Sequence, residues 1–389
     1  MRPGRRPRVI VVGAGIGGLT AAVALRQVGI DVAVYERAEE LRPAGTGLSI
    51  MSNAVTALGT LGIDLHLDKH GRAIETFQFL ARDGRPIRAL PLKEIGDRVG
   101  APSVNIGRAD LQQALLDRLD GQPVELGATV TGFETTADGA HVEFADGREA
   151  HGDALIGADG FHSVIRRQIA GPTPTREPGY VCWLAVVPFR HERLSDGAVR
   201  HYWGAGQRFG LIDIGHERVY WWGTKNMPAA VARGWRGDKD EIARAYAGWA
   251  DEVGEAIRIT PAEAIVSVPA QDRPFLNRWG TGPVTLLGDA AHPMLTSLGQ
   301  GAGTAMEDAV VLAGSLAETA DVSQALRRYE SRRRSRARRM VRMSRMLSLI
   351  EQFEHPLPRR LRDAYFRRVP APLLYRQNES VLTFPAHTP

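Results

Sequence analysis

The chain has 389 residues, more than one compact core usually spans, so two domains sharing a long interface are expected. Its 43% hydrophobic and 24% charged residues are ordinary for a soluble globular chain. The formal charge of +5 alone would admit a nucleic-acid or membrane partner, but the excess is localised and no zinc, helix-turn-helix or RNP-type pattern accompanies it, which argues against nucleic acid. A lone cysteine, Cys182, excludes an internal disulfide and a cysteine-based metal site, suits a cytoplasmic location, and reads as a buried strand residue.

Arg2, Arg5, Arg6 and Arg8 precede an apolar run over 9–25 that ends near Ala22-Val23-Ala24, and so imitate a secretory leader. Glycines interrupt the run and a second strand follows it, so it reads as part of the fold. No other apolar stretch approaches the roughly 20 residues a membrane span needs. Residues 8–12 form a short β-branched run, the mark of a strand buried on both faces. A glycine turn over 13–18 follows, then a helical pattern with Leu19, Val23 and Ala24 inward until Gly29, then a strand over 31–36. A helix is predicted over 53–61, strands over 76–80 and 86–90 around Asp83-Gly84, and a helix over 109–119 with Leu111, Leu115, Leu116 and Leu119 on one face. Strands are predicted over 124–133, 141–144 and 150–156.

From about 172 to 277 strands dominate, over 180–188, 199–203, 209–214, 219–224 and 264–269, with one helix over 239–256. Aromatic residues concentrate here, among them Trp183, Tyr202, Trp203, Phe209, Tyr220, Trp221 and Trp222. Residues 284–287 return to buried-strand texture, and helices over 303–317 and 325–352 precede a proline-rich tail that starts at His355. The arginine cluster between Arg327 and Arg345 reads as the solvated face of the last helix, over Leu326, Met340, Met343, Leu347 and Ile350; binding of an acidic partner or of pyridine-nucleotide phosphates is the alternative. The segments assemble into a nucleotide-binding domain (1–72, 100–171, 278–345), a second domain (73–99, 172–277) and a helical, proline-rich tail (346–389).

The run Gly13-Ala14-Gly15-Ile16-Gly17-Gly18 carries the first chemistry. Gly13 permits the sharp turn, Gly15 leaves backbone open to a pyrophosphate, and Gly18 allows close packing of helix on strand. The helix start offers unpaired N–H groups to phosphate. Glu36, at the end of the second strand, should accept from the adenosine ribose hydroxyls and disfavours a 2′-phosphate, so the site wants FAD or NAD.

Two further motifs lie far along the chain. One is Gly157-Ala158-Asp159-Gly160 through Arg166. The other is Gly288-Asp289-Ala290-Ala291-His292-Pro293, continued by Leu298-Gly299-Gln300-Gly301-Ala302-Gly303 and Met306-Glu307-Asp308. In this order and spacing, over residues 8–345, the three motifs resemble the FAD-dependent aromatic hydroxylases of the para-hydroxybenzoate hydroxylase type. The layout is similar to FAD-dependent urate hydroxylases and related small monooxygenases.

The resemblance implies an α/β fold: a Rossmann-like FAD-binding domain built from discontinuous segments, a mostly antiparallel substrate sheet, and a long C-terminal helix. It implies that Asp289 accepts from a ribityl hydroxyl and that Gly299, Gln300, Gly301, Ala302 and Gly303 present backbone N–H groups to the isoalloxazine. It also implies that Arg108, in an R-x-x-L pattern, lies by the ribityl and pyrophosphate, and that Asp159 contacts the pyrophosphate region. Arg37 reads either as a neighbour of adenine or as an exposed strand-end arginine, and the resemblance implies that backbone near Ser49 and Val130 meets FAD. His292 reads as serving its own loop, and the histidines show no metal-ligand spacing.

NADH or NADPH would then deliver hydride to the flavin, which reacts with O2 to a C4a-hydroperoxide that oxygenates an electron-rich aromatic, heteroaromatic or alkene substrate. Arg208 and Tyr220, on a hairpin turning near Gly215, match functional positions of the urate enzymes, and Arg208 would hold a substrate anion. A flavin halogenase is disfavoured because Trp221-Trp222-Gly223-Thr224-Lys225 lacks a W-x-W-x-I-P stretch; a non-oxygenating dehydrogenase or binding protein stays open. Monomer and homodimer both stay open.

Overall fold

In the computed structural model, residues 7–41, 46–121, 123–235 and 237–385 are described. Arg2, Arg5 and Arg6 of the leader-like stretch lie outside them. The apolar run that follows is a strand, Arg8–Val12, and a helix, Ile16–Gln27. None of the described helices is long and apolar enough to cross a membrane.

Five strands form a parallel sheet in the order Val284–Leu286, Ala154–Gly157, Arg8–Val12, Asp31–Tyr35, Val124–Glu125. Val9, Ile10, Val11, Leu155, Ile156 and Leu286 are each 0% exposed, which is why these strands are continuously apolar and not alternating. Strands from the beginning, middle and end of the chain pair here, so this domain is discontinuous.

The second sheet has seven strands, in the order Val266–Pro269, Tyr180–Pro188, Arg218–Asn226, Gln207–Asp213, Ala198–Trp203, Thr76–Ala81, Pro86–Leu90. It is antiparallel except where Ala198–Trp203 runs parallel to Thr76–Ala81. Phe209, Leu211 and Trp221 point to one face, against Tyr246, Val253 and Ile257 of the covering helices. Ile212, Tyr220 and Trp222 point to the other, which faces the nucleotide domain and the C-terminal helices.

Several sequence-based expectations need correction. The helix expected over 239–256 is two, Lys239–Ala245 and Asp251–Ile259, because Gly248 adopts φ +72° and the chain turns there. The strand expected over 150–156 is also two. Glu149–Gly152 joins a small antiparallel sheet, and Ala154–Gly157 joins the parallel one. The stretch 124–133 splits likewise, into Val124–Glu125 and Val130–Thr136. The tail is helical as well as proline-rich, in keeping with expectation: Pro356–Arg368 and Ala371–Leu382 each carry proline in the first turn, where its missing N–H costs no hydrogen bond.

The arginine cluster on the long helix Val322–Glu351 is not mainly a solvated face. Arg333 is buried against Glu307 and Asp308, Arg336 pairs with Glu307, and Arg345 with Asp272. Arg327 donates to the carbonyl of Val284, and Arg328 and Arg332 pair with Glu318. These cations stitch the helix to the body of the protein.

Candidate active site

The strand Arg8–Val12 runs into Gly13, whose φ of +104° suits glycine, and whose Cβ, if present, would stand 2.5 Å from the Ala158 carbonyl oxygen. A Cβ on Gly18 would lie 1.9 Å from the Gly13 oxygen, so the helix rests directly on the loop. Gly15 is different: a Cβ there meets nothing within 4 Å, and the residue borders a cavity. Bare backbone at a helix start, facing open space, fits a pyrophosphate. Glu36 is tied at the edge of this loop. Its Oε2 accepts from the Ala14 N–H at 2.8 Å and its Oε1 from the Ala38 N–H at 3.0 Å. Arg37 beside it is exposed, and neither it nor Val130 lines the cavity. The strand Val130–Thr136 begins next to Ala128, which donates to the Glu36 carbonyl at 2.8 Å, so it borders the same turn.

The cavity measures about 470 Å³ and runs from this loop to the seven-stranded sheet. Asp289 opens onto it from the 3-10 turn Gly288–Ala290. Its carboxylate has no hydrogen-bond partner among the described residues. The low-dielectric walls push its pKa above the ordinary range, against the pull of His292 and Arg108. Arg108 begins the helix Arg108–Arg118 and lines the same end of the cavity. Ser49, also lining it, donates to Asn105 Oδ1 at 2.6 Å.

Gly299, Gly301 and Ala302 line the cavity where the helix Gly301–Ala317 begins. The first intrahelical bond runs from the Thr304 N–H to the Gln300 carbonyl, so the N–H groups before it lack helical partners. A Cβ on Gly301 would meet nothing within 4 Å. Gln300 and Gly303 turn the other way. The Gln300 amide exchanges hydrogen bonds with Asn53, at 3.0 and 3.2 Å, and Gly303 packs on that pair. Of this run, Gly299, Gly301 and Ala302 face the cavity, while Gln300 and Gly303 buttress it.

Behind the turn lies a buried ionic cluster. Arg333 reaches Glu307 at 2.6 Å and Asp308 at 2.7 Å, and Asp308 accepts from the Gly288 N–H at 3.3 Å and pairs with His292 at 2.5 Å. Burial alone would raise both carboxyls. For Asp308 the charges of His292 and Arg333, and for Glu307 those of Arg333 and Arg336, outweigh it and hold both pKa values below ordinary. His292 therefore serves the loop and does not line the cavity. Asp159 caps a helix: its Oδ2 accepts from the Val164 N–H at 2.7 Å, and its neighbours Ala158 and Gly160 face the cavity in its place. Sequence reasoning passed over Arg166, which is buried and donates to the carbonyls of Ala290 and Ala291, each at 3.0 Å, so tying the second motif to the third.

At the far end the hairpin forms as expected, with Arg208 paired to Thr224 and Ile212 to Tyr220. Alternation sends Arg208, Ile212, Tyr220, Trp222 and Thr224 to the cavity, while Phe209 and Leu211 face the opposite core. Gly210 lies opposite Trp222. A Cβ there would come within 2.2 Å of the indole, so the missing side chain lets the ring lie flat across the strand. Burial raises the Tyr220 pKa, and its hydroxyl has no partner among the described residues. Burial likewise pushes the Cys182 thiol up to about 11, which leaves it an inert part of the wall.

Arg208 departs from expectation. Its side chain is 1% exposed and forms an ion pair with Glu351, the last residue of the long helix. It also donates to Ser297 Oγ at 2.8 Å. The guanidinium expected to hold a substrate anion is already engaged. An acid at a helix C-terminus, where the helix dipole disfavours it, was the one local sign of this pairing.

The model of the family described as FAD binding domain matches residues 6–344. Aurachin C monooxygenase/isomerase of Stigmatella aurantiaca is 38% identical over 363 residues, covering 92% of this chain and 93% of that protein. FAD-dependent urate hydroxylase of Klebsiella pneumoniae is 36% identical over 336 residues, covering 86% of this chain and 88% of that one. The crystal structure of Klebsiella pneumoniae HpxO complexed with FAD and uric acid superposes with a TM-score of 0.90 at 32% identity, over 97% of each chain.

Proposed function

The chain belongs to the FAD-dependent aromatic hydroxylase and monooxygenase family, and from that premise we propose that it is an NAD(P)H-dependent enzyme that inserts one atom of O2 into a small, electron-rich aromatic or heteroaromatic ring. The overall reaction consumes substrate, O2, NAD(P)H and a proton, and yields oxygenated product, NAD(P)+ and water. One observation carries the reading: a single cavity joins the open backbone at Gly15 and Gly301 and the carboxylate of Asp289 to the aromatic face bearing Tyr220 and Trp222. A reaction drawing on NAD(P)H fits the cytoplasm.

The residues present fit FAD. Gly13, Gly15 and Gly18 with the following helix would hold the pyrophosphate, and Glu36 the ribose. Asp289 and Arg108 would hold the ribityl chain, and Gly301 and Ala302 would offer N–H donors to the ring. When bound, FAD supplies hydride acceptance and the activation of O2. The protein's own work is positioning. Trp222, Leu184 and Val199 close an apolar wall that excludes water, and Tyr220, kept protonated by burial, donates a hydrogen bond to the substrate.

The test uses FAD-loaded protein and a panel of phenols, purines and polycyclic aromatics, with NADH and NADPH oxidation and O2 uptake followed together. At least one compound should accelerate both. Protein that binds no FAD, or that oxidises NAD(P)H without O2 uptake, refutes the reading.

A further inference from the structure

We propose that Glu351 sets the substrate class: by neutralising Arg208 it makes the cavity a site for neutral aromatic or heteroaromatic rings and not for carboxylate- or urate-like anions. This rests on the monooxygenase reading given above.

Arg208 is the cation that lines the substrate end, and its charge is already compensated, although its Nε makes no hydrogen bond among the described residues. One nitrogen pairs with Glu351 and donates to Ser297, and the guanidinium stacks over the rings of Trp222 at 5.2 Å and Tyr180 at 5.6 Å. Both charges are buried, and their sum is zero. His201, with Nε2 3.7 Å from Glu351, accepts a hydrogen bond there from Trp203 at 3.2 Å. Burial, with Arg208 and Arg362 adding to it, holds its pKa well below ordinary, so the imidazole is neutral. Arg362 donates to the Glu351 backbone carbonyl at 3.3 Å and carries its own counter-ion, Asp363. Arg108, the other cation lining the cavity, stands toward Asp289, and its charge also reaches Tyr220.

An anion entering beside Arg208 loses its hydration and finds that cation's charge already compensated, with the Glu351 carboxylate one guanidinium away. A neutral ring meets Leu184, Val199, Ile212, Trp222, Met294 and Leu295, and loses little. Glu351 lies beyond the residues matched by the family model.

The experiment compares matched acids and amides, para-hydroxybenzoate with para-hydroxybenzamide and salicylate with salicylamide, plus urate. FAD-loaded wild type, Glu351→Gln, and the double variant Arg208→Met, Glu351→Gln are titrated, and Kd is read from the flavin absorbance change. Wild type should bind each amide about tenfold tighter than its acid. Glu351→Gln should reverse the order, with acids and urate gaining about tenfold and amides changing little. The double variant should lose that gain, because it depends on Arg208, and its matched removal of both charges guards against misfolding of the single variant. Wild type that prefers the acids, that binds neither amide, or whose preference survives Glu351→Gln in a folded protein overturns the proposal. Failure of the underlying reading looks different: no FAD is retained, or NAD(P)H oxidation proceeds without O2 uptake.

Discussion

The two ends of the cavity are made of different material. At the cofactor end much of the wall is bare backbone, joined by the side chains of Asp289 and Arg108 and held in place by clashes that any larger residue would create at Gly13 and Gly18. At the substrate end they come from side chains far apart in sequence, Arg208, Ser297 and Glu351, whose charges are matched before any ligand arrives. Backbone gives a site that is tight and hard to vary; paired side chains give one that a single substitution can retune.

If that contrast holds, damage at the cofactor end should fall on stability and FAD together or on FAD alone, according to what each residue touches. The largest effect is expected behind the flavin turn. Arg333→Met removes the counter-charge that Glu307 and Asp308 share in the core, and should cost about 3–5 kcal/mol in denaturant unfolding. The pH dependence has a definite sign. Both carboxyls have depressed pKa values, so their contribution is full above the ordinary carboxylate range and is lost as pH falls through the depressed values. The gap between wild type and variant should therefore narrow below about pH 4, where protonated carboxyls no longer need the arginine. A gap that widens in acid would contradict the pairing.

Gly18→Ala should cost about 1–3 kcal/mol and weaken FAD as well, since backbone must move to admit the new atom. Asp289→Ala separates the two effects: apo-protein melting should be unchanged, while FAD binds roughly 10–100-fold more weakly, the loss of a hydrogen bond to a charged group. Gly15→Ala sharpens the contrast with Gly18. It meets no protein atom, so stability should hold while FAD affinity falls about tenfold. The smallest effect belongs to the substrate end. Tyr220→Phe keeps the ring, and should lower substrate-stimulated NAD(P)H oxidation about threefold with FAD affinity unchanged.

The same contrast decided what could be read beforehand. The opening strand, glycine turn, helix and second strand are consecutive residues with a fixed period, and they appear where expected. So does the hairpin that carries Arg208 and Tyr220. Short strands such as Gly47–Ile50 and Val104–Gly107 escaped, because runs of four residues, in a three-stranded sheet completed by Gly71–Ala73, are too short to show a period. The inward turn of Arg333, Arg336 and Arg345 escaped for another reason: whether an arginine on a long helix faces water depends on acids presented by a different helix or loop. Asp159 and Gly303 sit inside recognisable motifs yet cap and buttress, while Arg166, in the same motif as Asp159, joins two of the motifs. Within a motif, a residue's task is set by which way its side chain turns after folding.

The most direct measurement follows the oxygen. FAD-loaded protein, NAD(P)H and a substrate that stimulates its oxidation are allowed to turn over under heavy-isotope dioxygen, and the product is weighed by mass spectrometry. One labelled oxygen atom per product molecule, with one NAD(P)H consumed, is the expected result. Product lacking the label, or an oxidised product formed without O2, would make this chain a flavoprotein of another kind.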